Sequence, residues 1–124
     1  MKVLADTSIW IDHFRRSDAR LEEFLDRGDV VMHPFVIGEL LLGHVPRIAE
    51  MVADLKSLPK PNVANTDEIL EFIARRKLPG SGIGYVDVHL LAAATLTPEV
   101  AVWTRDKRLL AAAQSLALDA KFPG

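Results

Sequence analysis

The apolar run Val3, Leu4 and Ala5 stops abruptly at Asp6, and after Thr7 and Ser8 apolar residues return at helical spacing in Ile9, Trp10 and Phe14. This reads as a buried strand that ends in a carboxylate and feeds a helix, a junction common in α/β domains. The short oxygen-bearing side chains at the junction can also cap that helix, because they accept from the orphan N–H groups of its first turn.

The same alternation continues along the chain. Helical patterns at 7–15 and 19–27 are separated by Ser17 and Asp18, and Gly28 ends the second. Residues 29–33 carry Val30, Val31 and Met32 as a second strand. Pro34 opens an apolar helix over 35–42, and Pro46 one over 47–58. Residues 61–65 form a further strand on the strength of Val63 and their position between helices. Thr66 caps a helix over 67–77. Residues 79–84 are a glycine-rich loop without the Lys and Ser/Thr of a P-loop, read as a flexible flap. A helix at 85–96, a strand at 100–104, a helix at 106–116 and an edge strand at 118–121 complete the order. Strands alternating with helices predict one α/β domain over 1–124, a three-layer arrangement with a central, mostly parallel sheet of 4–5 strands flanked by helices.

Composition removes several chemistries. The chain has no cysteine, hence no disulfide, thiolate metal site or cysteine nucleophile, which fits a cytoplasmic location. No signal peptide or membrane span is legible. The net charge of -2 means that any nucleic acid must be met by a local basic rim.

In open parallel sheets the functional crevice lies beyond the carboxyl ends of the strands. Asp6 ends the first strand, Asp106 lies two residues past Thr104, Glu39 is little more than one turn into the helix after the second strand, and Asp87 is in the first turn of a helix leading into a strand. All four belong at that edge. Taken singly, each is also an ordinary cap or helix-end charge. Glu39 and Asp87 stand in apolar surroundings, where an unpaired carboxylate takes a proton or finds a cation. Hard divalent ions, Mg2+ or Mn2+, suit such an oxygen set better than zinc.

The fragments Asp6-Thr7-Ser8, Val36-Ile37-Gly38-Glu39-Leu40, Gly84-Tyr85-Val86-Asp87-Val88-His89-Leu90 and Trp103-Thr104-Arg105-Asp106 resemble the PIN-domain nucleases, and within them the VapC toxins of toxin–antitoxin pairs. The resemblance implies a PIN-like fold and a metal-dependent endoribonuclease whose catalytic, metal-binding acids match Asp6, Glu39, Asp87 and Asp106, with Ser8 and Thr104 as hydroxyls beside them. It also implies a homodimer blocked by a cognate antitoxin. Water attack assisted by divalent ions would leave 5′-phosphate and 3′-hydroxyl ends.

RNA would be gripped by a basic rim of Arg105, Lys107 and Arg108, with Tyr85 the aromatic candidate. Arg75, Arg76 and Lys77 form a second cluster, equally readable as a solvated helix end. None of the four histidines has metal spacing. Surplus apolar residues between 35 and 55 suit a dimer seam or a partner groove. Two other readings use the same layered fold: an aspartate-dependent phosphoryl-transfer domain, against which stands the lack of an acidic neighbour at Asp6, and a non-catalytic binding module, against which stands the intact acidic set.

Overall fold

In the computed structural model, residues 1–122 are described; the last two residues of the domain expected over 1–124 lie outside them. The order is β1 (Lys2–Ala5), α1 (Thr7–Arg15), α2 (Ala19–Asp26), β2 (Val30–Val31), α3 (Pro34–Leu42), α4 (Ile48–Ser57), α5 (Thr66–Arg75), α6 (Tyr85–Leu96), β3 (Val100–Trp103) and α7 (Lys107–Ser115). Among the described residues, the sheet has three parallel strands in the order β2-β1-β3. Val3 pairs with Val30 on one side and with Ala101 on the other, so β1 is central. Its Val3, Leu4 and Ala5 are all fully buried. Because successive side chains of a strand point to opposite faces, helices must cover both faces of the sheet.

The expected sheet of 4–5 strands is therefore too large. Residues 61–65 do not join it. Pro59 and Pro61 have no N–H to give, and Asn62 instead donates its backbone N–H to Thr97 Oγ1 at 2.9 Å and its side-chain amide to Leu96 O at 2.8 Å. Val63, the one strong β former there, is exposed. The tail at 118–121 contributes a single parallel bridge, Val102 with Asp119. Ala117 and Lys121 bracket it at φ 57° and 60°, left-handed conformations that no strand can pass through.

Most helix ends follow local chemistry. Asp6, Asp18 and Asp106 each cap a helix by accepting the N–H of the residue three further on. The cap of α5 is Asn65 rather than the expected Thr66, completed by Glu68 in a reciprocal capping box. A small second core of Ala64, Ile69, Leu78, Val88 and Ala92 lies between α5, α6 and the glycine-rich loop. That loop is tethered rather than a free flap. Leu78 is buried, Ile83 packs on the same core, and Gly82 O accepts from Arg108 Nη1 at 3.3 Å.

Candidate active site

The end of β1 is organised by one carboxylate in three roles. Asp6 is 4% exposed; its Oδ1 accepts from Ile9 N at 3.2 Å, capping α1, and from Ser8 Oγ at 2.5 Å. Its Oδ2 accepts from Thr104 Oγ1, just past the end of β3. Thr104 Oγ1 in turn accepts from the backbone N–H of Asp106 at 2.9 Å. One hydroxyl thus couples Asp6 to Asp106, fixing the ends of two adjacent strands against each other. Burial pushes the Asp6 carboxyl above its usual range, opposed by the donors of Ser8, Thr104 and Ile9 that favour the charged form.

Glu39, on α3, accepts from Thr7 Oγ1 at 2.6 Å, which ties a half-buried acid on one helix to the first residue of another. Asp87, in the first turn of α6, is half-buried and has no cation partner within 4 Å among the described residues. Its carboxyl is pushed up to about 6, first by burial and then by the negative charges of Asp6, Asp106 and Glu39. All four expected acids therefore act on one electrostatic site. Asp106 is the most solvated of them and caps α7 by accepting from Leu109 N at 2.9 Å.

The donors are all oxygens, a set suited to a hard divalent cation. Among the described residues, no three acidic or imidazole side chains form a finished metal-holding cluster. Asp6 and Glu39 accept instead from the hydroxyls of Ser8, Thr104 and Thr7. A carboxylate offers about four acceptor positions, of which Asp6 uses three and Glu39 one for these donors, so the chemistry of the donor set, though not a finished cluster, is compatible with such an ion.

Of the expected RNA-contacting residues, Lys107 and Arg108 are exposed on α7 and Tyr85 is 50% exposed at the start of α6. Arg105 is differently placed. Its guanidinium pairs with Asp12 at 2.8 Å and Asp18 at 2.7 Å, and its backbone N–H donates to Ser8 Oγ at 3.2 Å. A separate concavity of about 600 Å³ lies beside the outer edge of β3, against Trp103, Gln114 and Phe122; none of the four acids lines it.

Two supporting residues escaped the sequence reading. Thr7 was legible only as a cap, although a hydroxyl beside a strand-end acid is also placed to orient a second acid. His33 is fully buried, and its Nδ1 caps α3 by accepting from Phe35 N at 3.0 Å. Burial, with His89 nearby, lowers its pKa to about 4, so it is neutral and can accept. The signal for it was a polar residue immediately before the helix-opening Pro34.

A family model described as the PIN domain matches residues 3–115, and the chain belongs to the PIN-domain family. That span holds every residue of the crevice. The chain is also similar to Ribonuclease VapC32 of Mycobacterium tuberculosis, in strains CDC 1551 / Oshkosh and ATCC 25618 / H37Rv, at 43% identity over 113 residues, which is 89% of each chain. The relationship therefore runs to the VapC-type ribonucleases, across nearly the full length.

Proposed function

We propose that this VapC-type PIN ribonuclease is the toxin of a toxin–antitoxin pair and cleaves RNA internally at the four-carboxylate crevice. Asp6, Glu39, Asp87 and Asp106 would hold Mg2+ or Mn2+. What supports this reading is the placement of the four acids, Asp6 at the end of β1, Glu39 on α3, Asp87 in the first turn of α6 and Asp106 at the cap of α7, with the Asp87 carboxyl raised by burial and by the charges of the other three. Such a set is unfavourable by itself and becomes favourable around a divalent ion.

When bound, a divalent cation supplies water of lowered pKa and offsets the charge of the phosphodiester, giving 5′-phosphate and 3′-hydroxyl ends. The chain's own residues do the positioning. Ser8 and Thr104 fix the Asp6 carboxylate, Thr104 carries the same constraint to the backbone of Asp106, and Thr7 orients Glu39. Rigid support of this kind would hold the two carboxylates in fixed positions as charge moves during the reaction.

Phe35, Leu41 and Leu42 on α3 are 39%, 46% and 89% exposed, an apolar face that suits a second copy in a homodimer and the cognate antitoxin. No helix of the described residues is long and apolar enough to cross a membrane, and a cytoplasmic site of action goes with an RNA substrate.

The test is to map RNA ends after incubation with and without Mg2+. Cleavage should require the ion and leave 5′-phosphates, and Asp87→Asn should reduce it by about two orders of magnitude or more. Ends carrying a 2′,3′-cyclic phosphate, or full cleavage by the variant, would overturn the scheme.

A further inference from the structure

The fold brings together two basic clusters that lie far apart in the sequence. A groove of about 400 Å³ runs between the end of α5 with its following loop and the exposed side of α7. Arg76 and Lys77 stand on one wall, Lys107 and Arg108 on the other, and no carboxylate lines it. Its floor includes Leu78 and the small residues Ala111 and Ala112, which let a ligand backbone approach closely.

These cations differ from their neighbours. Among the described residues, Arg27, Arg47, Arg75 and Arg105 each have a carboxylate within 4 Å; Arg76, Lys77, Lys107 and Arg108 have none, as is true of seven other lysines and arginines, and what sets these four apart is that they line one groove. Arg75 pairs with Glu71 at 2.5 Å, and the unpaired positions begin at the very next residue. Two of the four are held in place. The Arg76 guanidinium lies 5.5 Å from the centre of the Phe72 ring, and Arg108 Nη1 donates to Gly82 O. Gly82 has φ 80°, and a Cβ there would come within 3.1 Å of Arg108 Nη1, so the bare backbone makes room for the guanidinium.

Two residues of the groove lie close in the chain to the acids. Lys107 follows Asp106 directly, and Ile83, on the loop wall, lies four residues before Asp87. We propose that this groove binds the sugar–phosphate backbone of single-stranded RNA flanking the scissile bond, through Arg76, Lys77, Lys107 and Arg108, while Arg105 takes no part. In a chain of net charge -2, two basic pairs from distant parts of the sequence face each other here with no carboxylate in the lining, and a linear polyanion is the ligand whose charge spacing can engage both walls at once. The ligand class rests on the ribonuclease reading given above.

Fluorescence anisotropy of a labelled single-stranded RNA, in EDTA so that binding is measured without cleavage, tests the proposal. Neutralising either wall, Arg76→Gln with Lys77→Gln or Lys107→Gln with Arg108→Gln, should weaken binding roughly tenfold in low salt and flatten the slope of log K against log salt by about 1.4. The pair Lys2→Gln with Arg16→Gln, at the start of β1 and the end of α1 and so at the opposite edge of the sheet, should leave both unchanged. With Mg2+ and saturating RNA, the wall variants should cut at a rate within about twofold of the parent, the loss appearing in KM. Unchanged affinity and salt slope in both wall variants would overturn the groove, as would polyglutamate competing as well as RNA. Because binding is read without metal, failure of the ribonuclease reading shows separately, as absence of cleavage by the parent protein.

Discussion

Two groups of acids meet at Ser8 and have opposite fates. On one side Asp12 and Asp18 face the Arg105 guanidinium, and Asp18 titrates below its usual range: burial would raise it, but the Leu21 N–H and Arg105 outweigh that. On the other side Asp6, Glu39, Asp87 and Asp106 share a crevice without a cation, and Asp87 is raised to about 6. Ser8 connects the groups, donating to Asp6 and accepting from the backbone N–H of Arg105. Burial raises both acids, more strongly at Asp87; at Asp18 the Leu21 N–H and then Arg105 outweigh it, whereas at Asp87 the neighbouring negative charges add to it. Acids given an internal partner build the frame, and acids left without one remain available to an ion from outside.

The sharpest way to break this comparison is at Asp6. Asp6→Ala removes the cap of α1 and leaves Thr104 without its acceptor, which should cost about 2–4 kcal/mol in a urea melt and abolish cleavage. Asp6→Asn keeps an acceptor oxygen, so it should lose cleavage while remaining within about 1 kcal/mol of the parent. Equal destabilisation by the two variants would mean that charge, not hydrogen bonding, holds the junction.

Asp87→Asn tests the uncompensated side. In metal-free protein at pH 7 it should be more stable than the parent by on the order of 1–2 kcal/mol, since it removes a repelled charge. The sign follows from proton uptake. Between about pH 4 and 6 the folded parent keeps a proton that the unfolded chain has lost, so its stability falls as pH rises through that window. The advantage of the variant should therefore be small below about pH 4 and complete above about pH 6, as read from melting curves against pH. Mg2+ should narrow it by binding the folded parent.

The compensated side should give the smallest effect. Arg105→Met should cost only about 1 kcal/mol, because solvent screens a guanidinium that is 40% exposed, and the difference should shrink in high salt. Its RNA-binding salt slope should match that of the parent. A slope reduced by about 0.7 would return Arg105 to the RNA contact surface.

What was legible in the sequence was whatever rests on local pattern. Among the described residues, the three strands, the seven helices and the positions of Asp6 and Asp106 at or just past strand ends follow from apolar periodicity and capping chemistry over a few residues. Residues 61–65 misled because Val63 promised a buried position that the fold does not supply, while the prolines withheld the donors a ladder needs. The single bridge at Asp119 was likewise beyond reach, since it is limited by left-handed residues on either side that carry no glycine signal. Arg105 looked equivalent to Lys107 and Arg108, and only the tertiary approach of Asp12 and Asp18 separates them. The groove that joins Arg76 to Arg108 is a long-range property in the same sense.

The cap that Asp6 provides has a consequence for inheritance. Aspartate and asparagine codons differ in one base, and asparagine is as good a cap, so a single transition can disarm the crevice and leave the fold intact. Cells escaping such a toxin should accumulate asparagine at position 6 more readily than disruptive changes in the core. Their inert product would keep its outer surfaces and continue to occupy whatever partner the active form binds.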